Sequence, residues 1–449
     1  MAVKVSMVSL GCSKNLVDSE RMLFKLRQHG YKLVTEFGES DVAIVNTCGF
    51  IQSAKEEAIE TILEIGKLKE EGTVKKLILT GCLTERYQQE AAAEFPEADA
   101  VIGISDTRDI VDILDQVLHN QRIVKFSSKM QAELTGDRII STLPFFSYLK
   151  IAEGCSNCCT YCAIPMIRGK FRSVPMEDVL QEARKLADYG VTELNVIAQD
   201  TTRYGEDLSE NGESLLPELL EKLCEIENLK WIRVLYCYPE RISDQLIDVM
   251  AKQDKIVKYI DMPIQHCNDE ILKRMNRRST KQQIISVIQK LREKMPGIVL
   301  RTTLITGFPG ESEEQFTELS EFVKEMKFER LGCFAYSQED GTKAADFPDQ
   351  IPEAIKNQRA EIIMEQQADL SAAYNAAQID QVKTAVVEGF DQWAECYFGR
   401  TANDAPDIDG KIFFRSGKKL HSGDYVPVRI TDVLDYDLLG EVISDESAE

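Results

Sequence analysis

The stretch CSNCCTYC, residues 155–162, places four cysteines within eight residues. Thiolates are soft ligands, suited to zinc and to iron–sulfur clusters. Two ligand sets can be drawn from this run. As two CxxC pairs, Cys155 with Cys158 and Cys159 with Cys162, it has the form of a zinc knuckle. As CxxxCxxC, it supplies Cys155, Cys159 and Cys162 and leaves Cys158 over. The eight residues alone do not choose between them. Three further cysteines stand singly: Cys12 after VSLG, Cys48 after VNT and Cys82 after LTG. The N-terminal MAVKVSMVSLGC lacks the basic and apolar regions of a secretory leader, and no apolar run approaches the ~18 residues of a membrane span. A cytoplasmic protein without a membrane partner is therefore expected. In such a reducing compartment twelve cysteines suggest metal or catalysis rather than a disulfide framework.

The elements around the single cysteines explain how they could meet. KVSMVSL, DVAIVNT, KKLILTG and ADAVIG are short, β-branched apolar runs. Helical periodicity follows in VDSERMLFKLRQHG and AKEEAIETILEIGKLKEE. This alternation predicts βαβ units and a parallel sheet over residues 1–125. Cys12, Cys48 and Cys82 then all lie where a strand ends, on the edge at which open α/β sheets bind ligands. Each could instead be a small buried hydrophobe, but three at one topological station favour a site.

Residues 126–145 are polar and poor in strand signals, and read as a linker. A second βα series occupies 146–376, with strands in YLKIAE, ELNVIAQ, WIRVLYC, YIDMPIQ, IVLRTTLITG and RLGCFAYS. Six units predict a partial (βα)6 barrel. Alternation along these strands sets Glu193, Asn195 and Gln199 opposite Leu194, Val196 and Ala198. It likewise sets Arg233, Asp261, Arg301 and Thr303 opposite apolar neighbours. Buried charge is costly unless paired or bound, so the polar face predicts a lumen for a charged ligand, internal ion pairs, or both. After the helical stretch AIKNQRAEIIMEQQADLSAAYNAAQ, five short strands predict a small all-β, OB-like barrel over 377–445.

The cysteine run follows the first barrel strand, at the C-terminal mouth. No second CxxC or HxxxH is available, and His29, His119, His266 and His421 are scattered. Adjacent Cys158 and Cys159 on one ion would also be sterically awkward. Three thiolates suit an iron–sulfur cube, which ordinarily takes four and here keeps one iron open.

With that constellation the chain resembles a known family. CSNCCTYC matches the radical S-adenosylmethionine signature CxxxCxxC, with aromatic Tyr161 before the last cysteine. LGCSKNLVDSE, NTCGFI and TGCLTERY resemble the N-terminal domain of the methylthiotransferases, and the terminal β domain resembles their TRAM domain. LGCSKNLVDSERM and ELNVIAQDTTRYG are similar to the branch, RimO, that methylthiolates an aspartate of a small-subunit ribosomal protein near the decoding centre.

The resemblance implies two 4Fe-4S clusters, one on Cys155, Cys159 and Cys162, the other on Cys12, Cys48 and Cys82. It also implies S-adenosylmethionine, one molecule as radical source and another as methyl donor. A reducing electron-donor protein is a further implied partner. Cys158 is a bystander; Cys224, Cys237, Cys267, Cys333 and Cys396 are packing residues. Gln199, in AQD, stands where the superfamily contacts the methionine amine. TLITGFPGE resembles the adenine-side GxIxGxxE, with Thr303 for the first Gly and Gly310 at the Glu position. That leaves backbone contact near Ile305 and Gly307, with no Glu side chain at that position and Glu311 next to it. Arg233 and Arg301 are candidates for a carboxylate of cofactor or substrate. No protein side chain is assigned as a catalytic acid, base or nucleophile.

Three functions compete: a methylthiotransferase acting on a ribosomal protein, a MiaB-like tRNA methylthiotransferase, and a non-enzymatic metal-dependent nucleic-acid binder. The net charge of −22 opposes general affinity for polyanions. From residue 380 to the end seven basic residues face fifteen acidic ones, a balance of −8. An RNA-binding β barrel should be basic, whereas an acidic one complements a basic protein. The first function is therefore expected, in a monomer without a direct tRNA substrate, with Asp435 and Asp437 on one strand face of the docking surface.

Overall fold

The computed structural model describes residues 2–443. The terminal SDESAE, read as a frayed acidic tail, lies outside the described residues. Six parallel strands form the first sheet: β1 (Lys4–Ser9), β2 (Lys32–Leu33), β3 (Val42–Thr47), β4 (Lys76–Gly81), β5 (Ala100–Ile102) and β6 (Ile123–Lys125), in the order β2-β1-β3-β4-β5-β6. The sequence reading found β1, β3, β4 and β5. It passed over edge strands β2 and β6, which are too short to show a pattern. Five helices cover the sheet: α1 (Ser13–Gln28), α2 (Gln52–Glu70), α3 (Cys82–Tyr87), α4 (Gln89–Glu94) and α5 (Ile110–Leu118). Strand alternation sorts them. Val42 and Ile44 pack with Met22 and Leu26 of α1 and Ile113 of α5. Ala43 and Val45 pack with Ala58 and Ile62 of α2 and Ala91 of α4. Because both faces are covered, all six residues of β3 are buried.

The second sheet is also parallel: β7 (Phe146–Lys150), then, beyond the ribbon of β8 (Ala152–Glu153) and β9 (Arg172–Ser173), β10 (Glu193–Ile197), β11 (Trp231–Val234), β12 (Ile256–Asp261), β13 (Val299–Thr306) and β14 (Arg330–Ala335). Its order, β14-β13-β12-β11-β10-β7, leaves the two edge strands apart and makes a partial barrel. Leu194, Val196, Ile232, Val234, Ile260, Leu300 and Leu304 point to the covering helices. A third unit, β15 (Val382–Asp391), β16 (Cys396–Thr401), β17 (Ile412–Arg415), β18 (Tyr425–Leu434) and β19 (Asp437–Val442), closes into a barrel in the order β15-β16-β17-β19-β18. Residues 126–145 contain no strand. They are tied down on both sides: Arg138 pairs with Glu20 at 2.5 Å and with Glu182 at 2.8 Å.

All three units meet in the lumen of the partial barrel. Val17 of α1 and Ala405, in the loop between β16 and β17, join Phe146, Tyr148, Trp231, Tyr259 and Val299 in one apolar cluster. The lumen charges are matched largely by the chain itself. Glu193 accepts from Arg400 at 2.8 and 3.2 Å and from Arg233 at 3.4 Å. Arg301 donates to Asp261 at 2.7 Å and lies 3.7 Å from Asp409, while Arg330 pairs with Asp404 at 2.7 Å. Of the two alternatives for the polar face, internal ion pairs account for these arginines, and they join the barrel to the β domain.

One surface expectation is corrected. Asp435 and Asp437 do not alternate along one strand. Asp435 occupies the turn between β18 and β19 with a left-handed φ of 49°, and Asp437 accepts the Lys411 backbone N–H at 2.7 Å. Period-2 geometry ends where the hairpin reverses.

Candidate active site

Cys12, Cys48 and Cys82 stand at the ends of β1, β3 and β4, the three adjacent strands at the centre of the first sheet. The loops that carry them touch. A Cβ on Gly11, whose φ is +85°, would come within 2.6 Å of Cys48 Sγ, and one on Gly49 within 2.6 Å of Leu83 Cα. Only glycine lets the loops approach this closely. Cys12 is exposed, whereas Cys48 and Cys82 are buried. Burial pushes the Cys82 thiol up to about 12, against the pull of the nearby Arg168 guanidinium.

Cys155, Cys159 and Cys162 lie in the loop between β8 and a short helix, α6 (Ile164–Arg168). This loop is pinned to the rest of the barrel mouth. Thr160 N–H donates to Met275 O at 3.0 Å, and Asn157 donates to Asp200 at 2.7 Å. Asn276 reaches the carbonyls of Asn157 and Cys158 at 3.1 and 2.9 Å. Cys155 and Cys159 are buried and Cys162 is half-buried; burial pushes the Cys155 thiol up to about 12. Cys158 is exposed, with a left-handed φ of 52°. Among the described residues no group of three or more His, Cys, Asp or Glu side chains is set close enough to hold a metal ion.

The proposed cofactor contacts divide. Tyr161 and Ile305 share an apolar cluster with Phe308 and Tyr336 beside the cysteine loop. Gln199 donates to Glu153 at 3.1 Å, and its buried Oε1 has no partner. Neither amide atom of the fully buried Asn195, on the same lumen face, has one either. Unsatisfied buried amides are costly, and a ligand with amine, carboxylate and ribose groups suits them. Gly307 N–H is taken by Glu311, at 3.0 and 3.1 Å. Glu311 in turn accepts from Arg359 at 2.7 Å and lies 3.4 Å from His266, so this carboxylate stabilises the turn. Arg233 and Arg301 are engaged by Glu193 and Asp261 as described. His29, His119 and His421 are exposed, while His266 is fully buried.

Comparison with known proteins follows the three units. The Radical SAM superfamily matches residues 149–323, the uncharacterized protein family UPF0004 residues 4–103, and the TRAM domain residues 379–443. Over the whole length the chain is similar to proteins named ribosomal protein uS12 methylthiotransferase RimO. The protein from Geobacter sulfurreducens is 48% identical over 98% of this chain and 99% of its own. That from Thermoanaerobacter sp. (strain X514) is 46% identical over 97% and 99%. The chain belongs to the RimO family. Among solved structures, the radical S-adenosylmethionine methyltransferase TsrM from Kitasatospora setae has a TM-score of 0.55 at 13% identity, covering 75% of each chain. The cobalamin-dependent radical enzyme OxsB has a TM-score of 0.53 at 13% identity over 81% of this chain and 56% of its own. These two share the fold.

Within this RimO family chain the sequence reading missed the residue that joins the two cysteine regions. Arg168, at the end of α6, is 3% exposed. It donates to Asp18 at 2.7 Å, to Glu153 at 3.1 Å, to Asn15 Oδ1 and, at 3.6 Å, to Cys82 Sγ. Asp18 and Asn15 belong to α1, which follows Cys12; Glu153 precedes Cys155. Lys150 bridges the same two carboxylates. Burial is the largest influence on Glu153 and would raise it; Arg168 and Lys150 together hold it well below the usual carboxylate range. A signal existed in the sequence: a basic residue six positions after a ligand triad, on the helix that follows it. Beside Cys12, a cavity of about 250 Å³ is lined by Tyr148, Tyr236, Asp407 and Ile408. It joins the first domain's edge, the lumen and the β domain.

Proposed function

We propose that this chain is a cytoplasmic radical S-adenosylmethionine methylthiotransferase that modifies the β-carbon of an aspartate in ribosomal protein uS12. The observation that carries this reading is the presence of two cysteine triads, one at the strand ends of the first sheet and one in the loop after β8 at the barrel mouth, whose segments buried Arg168 joins through Cys82 and Glu153. Cys155, Cys159 and Cys162 would hold one 4Fe-4S cluster, and Cys12, Cys48 and Cys82 a second, each with an open iron. When bound, the clusters supply the electron that cleaves S-adenosylmethionine and the site from which sulfur is delivered.

The chain's own residues bind, orient and exclude water. Gln199 Oε1 and the Asn195 amide offer hydrogen bonds to the methionine and ribose groups, and Tyr161 with Ile305 gives the adenine an apolar wall. Tyr148, Trp231 and Tyr259 keep the lumen dry, which protects a reactive radical. The Arg168 network fixes the first domain's edge against the barrel mouth, so that the two sites face a common substrate. The acidic β domain, whose Asp407 lies in the Cys12 cavity, favours a basic substrate protein by charge complementarity. The units 1–125, 146–376 and 377–445 then divide the work: sulfur delivery, radical generation and substrate contact.

The test is anaerobic reconstitution followed by incubation with uS12, S-adenosylmethionine and a reductant. A mass increase on an aspartate of uS12 of about one methylthio group supports the reading. Modification of tRNA instead, or zinc in place of iron after reconstitution, would overturn it.

A further inference from the structure

The first domain carries a groove that the reaction leaves unused. It runs between α2 and α4 and has a volume of about 500 Å³. Leu83, Tyr87, Ala91 and Phe95 form its floor, and Ile59 and Leu63 of α2 form one wall, 38% and 50% exposed. Ile59 and Leu63 are four residues apart on the helix, hence on one face. Exposed aliphatics at this spacing beside a concave apolar floor mark a recognition surface.

The rim has one sign of charge. Glu90, Glu94 and Asp340 line it, and none has an ion-pair partner among the described residues. Lys55, the lining cation, is buried and bonds inward to Glu339 at 3.0 Å, a carboxylate it shares with Arg86. An acidic rim around an apolar floor fits a basic polypeptide segment with one or two apolar side chains. It disfavours a second copy of this chain, because a two-fold contact through this face would set Glu90, Glu94 and Asp340 against themselves.

Position connects the groove with the reaction. Leu83 of the floor directly follows Cys82, and Asp340 belongs to the barrel loop after β14. Glu339 of that loop accepts from both Lys55 and Arg86, at 3.0 and 2.7 Å. The groove is thus held open by contacts between the two domains that carry the cysteines.

We infer that this groove docks a basic, apolar-anchored segment of the protein substrate away from the modified aspartate; the inference rests on the reading that the substrate is uS12. Its test uses the full-length chain and purified uS12, with binding measured by fluorescence anisotropy at low and high salt. Two double variants are compared, Ile59→Ser/Leu63→Ser and Glu90→Lys/Glu94→Lys. Each should weaken uS12 binding about tenfold at low salt. At ~1 M salt, where the Debye length is about 3 Å, the charge variant should approach the wild type while the apolar variant stays weak. Cleavage of S-adenosylmethionine in the absence of uS12 should be unchanged in both, because neither pair touches the cysteine sites. If wild type binds and modifies uS12 and both variants bind it equally well, the groove inference fails and the function stands. If wild type does not bind uS12 at all, both fail. A concentration-dependent dimer of wild type that Ile59→Ser/Leu63→Ser abolishes would overturn the inference in favour of self-association.

Discussion

Arg168→Gln should uncouple the two cysteine regions before it unfolds either. Arg168 has side-chain exposure of 2% and makes ionic contacts with Asp18 at 2.7 Å and Glu153 at 3.1 Å. Removing one member of a buried pair costs about 3–5 kcal/mol, since the remaining charge is left desolvated. Here Lys150 also reaches both carboxylates, so neither is wholly abandoned and the lower end, about 3 kcal/mol, applies. That is roughly a hundredfold in equilibrium constant. The assay is urea unfolding of the cluster-free chain followed by tryptophan fluorescence. Trp393 is 99% exposed and Trp231, in the lumen cluster, 8%, so the signal change reports Trp231. A double-mutant cycle with Asp18→Asn should give a coupling of about 1–2 kcal/mol, because the two residues touch across the domain boundary. After reconstitution the variant should still cleave S-adenosylmethionine but release more 5′-deoxyadenosine per methylthiolated product. Arg168→Lys should not restore the ratio, since one ammonium cannot reproduce the planar fork that reaches four acceptors. A loss below 0.5 kcal/mol with additive double mutants, or an unchanged product ratio, would refute the bridging role.

Other outcomes follow from individual contacts. Changing Cys155, Cys159 and Cys162 together to Ala should remove about half of about eight iron per reconstituted chain, measured by iron and sulfide analysis; Cys158→Gly, which suits the left-handed backbone there, should remove none. Gly307→Ala should destabilise by at least 1–3 kcal/mol in the same unfolding assay, because φ is +68° and the new Cβ would lie 2.2 Å from Lys356 Cγ. Glu193→Gln should destabilise at pH 7, but by less as the solution is acidified. Burial opposes ionisation of Glu193, yet Arg400 and Arg233 hold its carboxyl below the usual range. A depressed folded value stabilises fully above the ordinary carboxylate pKa of about 4.3 and is lost as pH falls through the folded one. The difference between wild type and variant should therefore be constant from pH 8 to about 5 and vanish in stronger acid; a difference that grows on acidification would contradict the ion pair. Removing the β domain by truncation near residue 376 should precipitate the remainder, since it would expose the Glu193–Arg233 layer and the apolar surface around Trp231; solubility and light scattering check this.

Local pattern determined much of this protein. Apolar runs placed four strands of the first sheet, six of the second and five of the β domain. Cysteines at strand ends could be assigned to a common edge, because parallel strands end together. The cysteine run by itself left two ligand sets open, and only the resemblance to the CxxxCxxC signature set Cys158 apart; in the structure that residue is exposed with a left-handed φ of 52°. What the sequence could not decide was where the lumen charges go. Glu193 and Arg400 are 207 residues apart and bond at 2.8 Å; strand parity shows that Glu193 faces inward but not what it faces. The same limit hid Arg168, whose partners lie 150 residues away in Asp18 and 15 away in Glu153. It misplaced Asp435 as well, because a strand's period stops at a turn that only the pairing of β18 with β19 fixes. Alternation is a property of one strand's backbone, legible from its own residues. The partner of a buried charge depends on how whole domains pack, and only the tertiary structure supplies that.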